Sequence, residues 1–332
     1  MINFSRAFDS AWQRTQVLLF RPFDPAKWIV IGFNAFLVLL AEGGITFNEP
    51  FYTQSSNDPS KYESLTALAS AVNQEISWFR SILFSHSLVT YLGLGTLTLL
   101  AWLVLSWAGC RGEFLFLDNL VRNRPAIAEP WRRYAREGNV WFLFHLVLTA
   151  VYWILLFGLL IVAVALNWSW IRPERDPNAG EIAILGCVLL MGCLFFAVYA
   201  ACTFLLQSLV VPLLFRQTFG FWKALEAVGR LATEHPLSIL VYLGINFALA
   251  LGATLLALVV FCLLCCVVGL VALVPYVGSL LLMLLMGEVL LPLFVYCRCF
   301  QLDCLAQFGA EYDVWIVDVP GAPAPTLPPP RE

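Results

Sequence analysis

Residues 140–166 read VWFLFHLVLTAVYWILLFGLLIVAVAL, 27 positions without an Asp, Glu, Lys or Arg. A helix of that length is about 40 Å long, against a hydrocarbon layer of roughly 30 Å. Lipid offers the backbone no hydrogen-bond partner, so a run this long satisfies itself as a helix rather than as a barrel strand. Five further windows of the same kind surround it, at 28–47, 88–108, 182–215, 237–263 and 277–297. The chain is 61% hydrophobic and 12% charged, where soluble domains carry roughly 45–50% apolar and about 25% charged residues, which excludes a soluble globular fold. The expected class is all-α, a polytopic transmembrane helical bundle of about six spans.

Orientation follows where the basic residues lie, not the net charge of −3. One set of segments holds Arg6, Arg14, Arg21 and Lys27; Arg111, Arg122, Arg124, Arg132, Arg133 and Arg136; Arg216, Lys223 and Arg230; and Arg298 and Arg331. The opposite loops hold only Lys61, Arg80, Arg172 and Arg175, beside the acidic Glu42, Glu49, Asp58, Glu63 and Glu75. The basic side is expected to be cytoplasmic, with both termini there, in a cell inner or plasma membrane. No secretory signal is visible, since the first apolar run begins only at Trp28. The chain divides into an amphipathic cytoplasmic segment (1–27), a six-span membrane domain (28–297), a juxtamembrane segment (298–319) and a Pro-rich tail (320–332) expected to be disordered.

The basic connectors resemble one another. Arg111-Gly-Glu-Phe114-Leu-Phe116-Leu-Asp-Asn-Leu120 and Arg216-Gln-Thr-Phe219-Gly-Phe221-Trp-Lys-Ala-Leu225 both fit R-x-x-F-x-F-x-x-x-L. Pro25, Pro130 and Pro236 each precede a span at nearly equal intervals. This predicts three units, each an amphipathic cytoplasmic helix followed by an antiparallel pair of spans. The connector helices are expected to lie along the inner leaflet, where Arg111, Arg122, Arg124, Arg132, Arg133, Arg216 and Lys223 would meet lipid headgroups, at about 1 kcal/mol for each basic residue near an anionic surface. The plainer reading is that they are ordinary basic connectors.

Glu288 is the acidic side chain that falls clearly inside a window, and an ionised carboxylate there costs about 2.5–3.5 kcal/mol on insertion scales, so it calls for a partner. Asn246, Asn34 and His145 stand at similar distances from the basic boundary. Together the four form a candidate intramembrane polar site, with Gln207 a further candidate; the alternative is that they join helices by interhelical hydrogen bonds. Gly287 and Pro292 flank Glu288 and predict a loosened or kinked helix. Gly244, Ala248 and Gly252 form a ridge of small residues that would permit close helix approach. Cys297, Cys299 and Cys304 match no standard zinc spacing, so neither a metal nor a cofactor is expected.

Enzyme signatures are missing: three histidines lie on separate segments, without H-E-x-x-H, nucleophile elbow or P-loop. The expected function is non-enzymatic, in membrane organisation or lipid handling; the alternative is a small-solute or lipid transporter with Glu288 in its pathway. Membrane lipids are the expected partners, nucleic acid is not, and a homo-oligomer is compatible with the sequence.

Arg21-Pro-Phe-Asp24-Pro-Ala-Lys27-Trp28, the connector from Arg111 to Leu120, Pro130-Trp131-Arg-Arg-Tyr and Gln307-Phe-Gly-Ala-Glu311-Tyr-Asp313 resemble an uncharacterised family of prokaryotic six-span membrane proteins. They are also distantly similar to the membrane domain attached to some glycerophosphodiester phosphodiesterases. The resemblance covers most of residues 1–316. It implies a helical membrane bundle and supplies no catalytic or binding residues, the phosphodiesterase barrel being absent from this chain.

Overall fold

The computed structural model describes residues 3–41, 88–166, 179–216, 220–263 and 277–315. The expectations that fall on the acidic loop after the first span, on Phe219 and on the tail from residue 320 lie outside them. Among the described residues every regular element is a helix: α1 (Phe4–Leu19), α2 (Pro25–Ala41), α3 (Leu88–Val121), α4 (Ala128–Arg133), α5 (Ala135–Leu166), α6 (Ala179–Phe215), α7 (Phe221–Glu234), α8 (Pro236–Leu263), α9 (Val277–Val289) and α10 (Leu291–Ala306). Four of them, α3, α5, α6 and α8, are long and apolar enough to cross a membrane. A fifth span results if α9 and α10, which bend by 68° at their break, are taken as one; α2 is apolar but shorter.

The helix starts are legible locally. The Asn3 side chain accepts from the Arg6 amide and caps α1, satisfying one of the donors that a helix start leaves open. Pro25 and Pro236 are the first residues of α2 and α8, where a missing N–H costs nothing and the fixed φ already suits a helix. Pro212 sits inside α6 without ending it, whereas Pro292 opens α10 just after the break at Leu290.

The second connector departs from the expectation. Arg111 to Leu120 is not a separate amphipathic helix but the continuation of α3, with Cys110, Phe114, Leu115, Phe116, Leu117 and Leu120 all buried. The stretch has no proline to end the helix, and Glu113, Asp118 and Asn119 are buried along with its apolar residues, so it is covered on several sides and is not an interfacial helix. Only the six-residue α4 stands between α3 and α5.

Helices α1 and α7 are separate and amphipathic, as expected, but their apolar faces enter the protein and are not free to lie on a leaflet. Ala7, Ala11, Thr15, Leu18 and Leu19 of α1 and Ala224, Ala227, Val228 and Leu231 of α7 are buried. The first helix runs antiparallel along α10. Phe8 stacks on Phe300 with ring centres 4.6 Å apart, Ser10 Oγ donates to Asp303 at 2.6 Å, and Arg14 pairs with the same carboxylate at 3.2 Å. Asn3 and Gln307 close the end with a reciprocal pair of hydrogen bonds.

Leu37, Leu40 and Leu115 form a small cluster of their own, and among the described residues the main apolar core is drawn from α1, α2, the second half of α3, the last turns of α6, α7 and α10, with Trp141 of α5 and Ile239 and Tyr242 of α8. It lies at the end of the molecule that carries the basic connectors. The opposite portions of the long helices expose Leu97, Ile154, Ile161, Leu190 and Leu255. In water such a surface would drive association; against lipid chains it needs no cover.

Candidate functional site

The continuation of α3 and the break before α10 together border a small, partly open cavity of mixed polarity beside the core. The first carries Glu113 inward by about two turns from the helix end; the second turns Cys297, Arg298 and Gln301 toward it. With Gln207 and Ser208 of α6, these residues line a cavity of about 100 Å³, closed on its apolar side by Ala35 and Val38 of α2 and by Phe116, Phe204 and Phe294. Glu113 is 3% exposed and Arg298 9%. Charges so buried are tolerated only where hydrogen bonds hold them. Trp141 Nε1 donates to Glu113 Oε1 at 3.1 Å. The Arg298 guanidinium donates to Gln301 Oε1 at 3.0 Å, Gln301 Nε2 to Asn246 Oδ1 at 3.4 Å, and Asn246 Nδ2 to the Tyr242 carbonyl at 2.8 Å. A relay of amides thus ties α10 to α8, and the chamber presents a carboxylate, a guanidinium, two carboxamides, a hydroxyl and a thiol to one small volume.

Of the four residues expected to form an intramembrane site, only Asn246 belongs to this relay. Glu288 points elsewhere: with Trp28, Ile29, Phe33, Ile127 and Leu284 it lines an apolar groove of about 850 Å³ between α2 and α9. Its carboxylate lies directly over Gly32, where a Cβ would overlap it, and its backbone carbonyl accepts from Trp28 Nε1 at 3.3 Å. Asn34 is fully buried, and its amide has no hydrogen-bond partner among the described residues. His145 is half-buried with its ring 6.3 Å from that of Trp141. Glu113, Arg298 and Gln301 escaped sequence reading because the hydropathy drop at each marks a boundary; the signal available was helical continuity, since no proline separates Glu113 from the apolar run before it.

The basic residues expected to meet headgroups divide into two groups. Arg111 lies over the Trp107 and Trp131 rings at 4.4 and 5.1 Å and donates to Asn139 Oδ1. Arg122 and Arg124 pair with the fully buried Asp118 at 2.9 and 3.1 Å, Arg124 reaching Glu129 as well at 2.8 Å. Arg216 donates to the carbonyls of Ala310 and Glu311 at 2.8 and 2.6 Å, fastening the end of α6 to the segment after α10. These four are spent on internal contacts. Arg132, Arg133 and Lys223 are exposed, Arg133 leaning toward the Tyr134 ring and Lys223 standing beside the exposed Trp222. Hydrogen bonding to Arg124, first among several nearby positive charges, holds the Glu129 carboxyl below the usual range, so the Glu129 end of the pair is favoured in its charged form.

Cys299 and Cys304 are buried in α10, and among the described residues no three His, Cys, Asp or Glu side chains gather to hold a metal. No curated protein and no solved structure matches the chain. Residues 4–315, nearly the whole length, match a family of unknown function, DUF7544, and the protein belongs to that family.

Proposed function

We infer that this is a six-span protein of a cell inner membrane, with both termini in the cytoplasm, that handles or organises lipid without catalysing a reaction. The observation that carries the reading is a pair of apolar grooves on the helical surface. One is the groove beside Glu288; the other, of about 740 Å³, runs between α3 and α5 along Leu99, Trp102, Leu146, Trp153 and Phe157. Sites for apolar ligands typically span about 300–1,000 Å³, so each has the size for an acyl chain. At the basic end, exposed Trp12, Phe20, Arg21, Phe23, Trp222 and Lys223 supply the aromatic and cationic side chains that suit a headgroup layer. The reading without catalysis rests on the sequence, which carries no nucleophile elbow, P-loop or H-E-x-x-H.

The test is lipid retention. The full chain, extracted in a mild detergent and washed, should keep lipid that native mass spectrometry detects. Ala150→Trp, which fills the α3–α5 groove, should lower that retention several-fold while the protein stays folded. Retention unchanged by filling either groove would sink the proposal. Cysteines placed at Arg6, Lys223 and Arg132 should all react from the cytoplasmic side and one at Asp58 only from the other, a pattern that a five-span arrangement does not give. A second reading, transport, is supported by Glu288 facing an open groove; it requires that Glu288→Gln abolish a substrate-dependent flux.

A further inference from the structure

The groove between α2 and α9 is apolar except for one charged side chain, Glu288. We propose that it binds a single-chain cationic amphiphile, an alkylammonium whose head meets the Glu288 carboxylate and whose chain runs along Phe33 and Leu284 into the hydrocarbon. The proposal rests on the reading that this groove holds an apolar chain, and it adds what the head of that chain must be.

Charge decides the head. Every other lining residue, from Trp28 and Phe33 to Ile127 and Leu284, is apolar or aromatic. Among the described residues the half-buried Glu288 carboxylate enters no ion pair and no hydrogen bond, its contact with Trp28 Nε1 being made through the backbone carbonyl. Lys27, next to Trp28 in the chain, is committed elsewhere, its ammonium donating to the Leu18 carbonyl and to Asn123 Oδ1. A carboxylate against low-dielectric walls is stabilised by an opposite charge that the occupant brings, and a neutral or anionic chain brings none. A metal ion would have to exchange its waters for oxygen ligands, which these walls lack. An organic ammonium needs no such shell: its donors meet the carboxylate, and its charge is also attracted to the aromatic faces of Trp28 and Phe33.

Depth decides the shape. Gly32 leaves room for the carboxylate against the α2 backbone, where a Cβ would overlap it. Helix α2 starts at Pro25, so the carboxylate stands about 10 Å from that start, near the basic end. Because α9 and α10 bend by 68° at their break, the stretch from Glu288 to Arg298 does not add up to the depth of a straight helix. Leu284 precedes Glu288 by one turn of α9, and Phe33 follows Trp28 along α2, so both lie on the side away from the basic end. An amphiphile can therefore keep its head at Glu288 while its tail passes over them, and a groove of about 850 Å³ has room for one such chain. A zwitterionic phospholipid would also bring a phosphate within a few atoms of its ammonium. The basic side chains nearest Ile127 and Trp28 in sequence are already held, Arg122 and Arg124 by Asp118 and Lys27 as above, which favours a head of net positive charge.

The experiment uses the full chain in phosphatidylcholine nanodiscs and measures labelled decylammonium by equilibrium dialysis, with the uptake of empty discs subtracted. Saturable binding is expected, with decanol, decanoate and lysophosphatidylethanolamine each competing about tenfold less well, the scale of one charge-assisted hydrogen bond. Glu288→Gln keeps the side-chain volume and the backbone contact with Trp28, and should weaken binding by a similar factor while the unfolding midpoint stays near that of the parent. The competition series uses the unaltered protein, so it stands even where that variant folds poorly. No saturable decylammonium binding overturns the proposal. So does decanol or lysophosphatidylethanolamine competing as well as decylammonium itself, or a folded Glu288→Gln chain that binds like the parent. Labelled decanol separates this failure from that of the groove reading: saturable decanol binding without a preference for decylammonium leaves an apolar-chain site that needs no cation, whereas saturable binding of neither removes both.

Discussion

Asp118 shows how a single residue decides what a basic segment is for. Its carboxylate is fully buried, paired with Arg122 and Arg124 and accepting from the Tyr134 hydroxyl at 3.2 Å. Removing one partner from a buried pair leaves the other uncompensated, at roughly 3–5 kcal/mol; Arg124 is partly exposed and can turn wholly to Glu129, which lowers the expected loss for Asp118→Asn to about 1–3 kcal/mol. Arg132→Gln, at an exposed site, should change stability by no more than about 0.5 kcal/mol. Unfolding midpoints in one detergent compare the two, and equal effects would show that Asp118 is not the organising charge. Tyr134 adds a pH signature. Burial, with the neighbouring Asp118 charge second, raises its hydroxyl from 10.0 to about 12. A raised folded-state value means that the fold favours the neutral phenol, so the contribution is full below pH 10 and is lost as the pH climbs toward 12. Tyr134→Phe should therefore flatten the decline in melting temperature across that window, and an unchanged slope would refute the assignment.

At the scale of elements, glycines report which helices touch. A Cβ at Gly112 would overlap the Leu37 side chain, and one at Gly32 the Glu288 carboxylate, so α2 is seated against α3 on one side and α9 on the other. By contrast, a Cβ at Gly244 or Gly252 meets nothing within 4 Å among the described residues, so the small-residue ridge of α8 is not a helix seam here. Gly112→Ala is expected to cost about 1–3 kcal/mol through overpacking, while Gly244→Ala should be neutral or slightly stabilising through helix propensity; thermal unfolding of both in the same nanodisc separates them. The same contrast explains what the sequence could reveal. The long apolar runs and the prolines at 25 and 236 were readable because hydropathy and helix starts are local. The fate of Arg111 to Leu120 was not, because charged residues look alike whether they face water or are neutralised by partners distant in sequence. The amphipathic pattern of α1 likewise gave the helix and its apolar face; only the fit of Phe8 against Phe300 and Ser10 against Asp303 shows that α10, and not lipid, receives it. The cavity beside Glu113 was largely hidden for that reason too: its lining comes from four helices, and although Gln207 and Cys297 stood out in their own windows, nothing local joined them to Glu113, Ser208 and Gln301.

For the whole molecule, a packed basic end and apolar helices that are bare beyond it make the proposed bilayer boundary testable. The core at the basic end is packed, whereas Ile154 and Leu190 are 69% and 73% exposed among the described residues and lie in hydrocarbon on the proposed placement. A positive charge placed there should cost about 2.5–3.5 kcal/mol on insertion scales. Leu237, equally bare at 66%, is the second residue of α8, near the basic end, where a long arginine can reach the headgroup layer. Ile154→Arg and Leu190→Arg should therefore cut the membrane-inserted yield sharply and lower the melting temperature in nanodiscs, while Leu237→Arg should leave both close to the parent. The comparison holds exposure and substitution fixed and varies only depth, so it separates a bilayer boundary from a general intolerance of charge. If all three variants were equally impaired, the band would extend over the basic end as well and the core there would be an intramembrane one. If all three were tolerated, the exposed helical surface would be covered by something other than lipid.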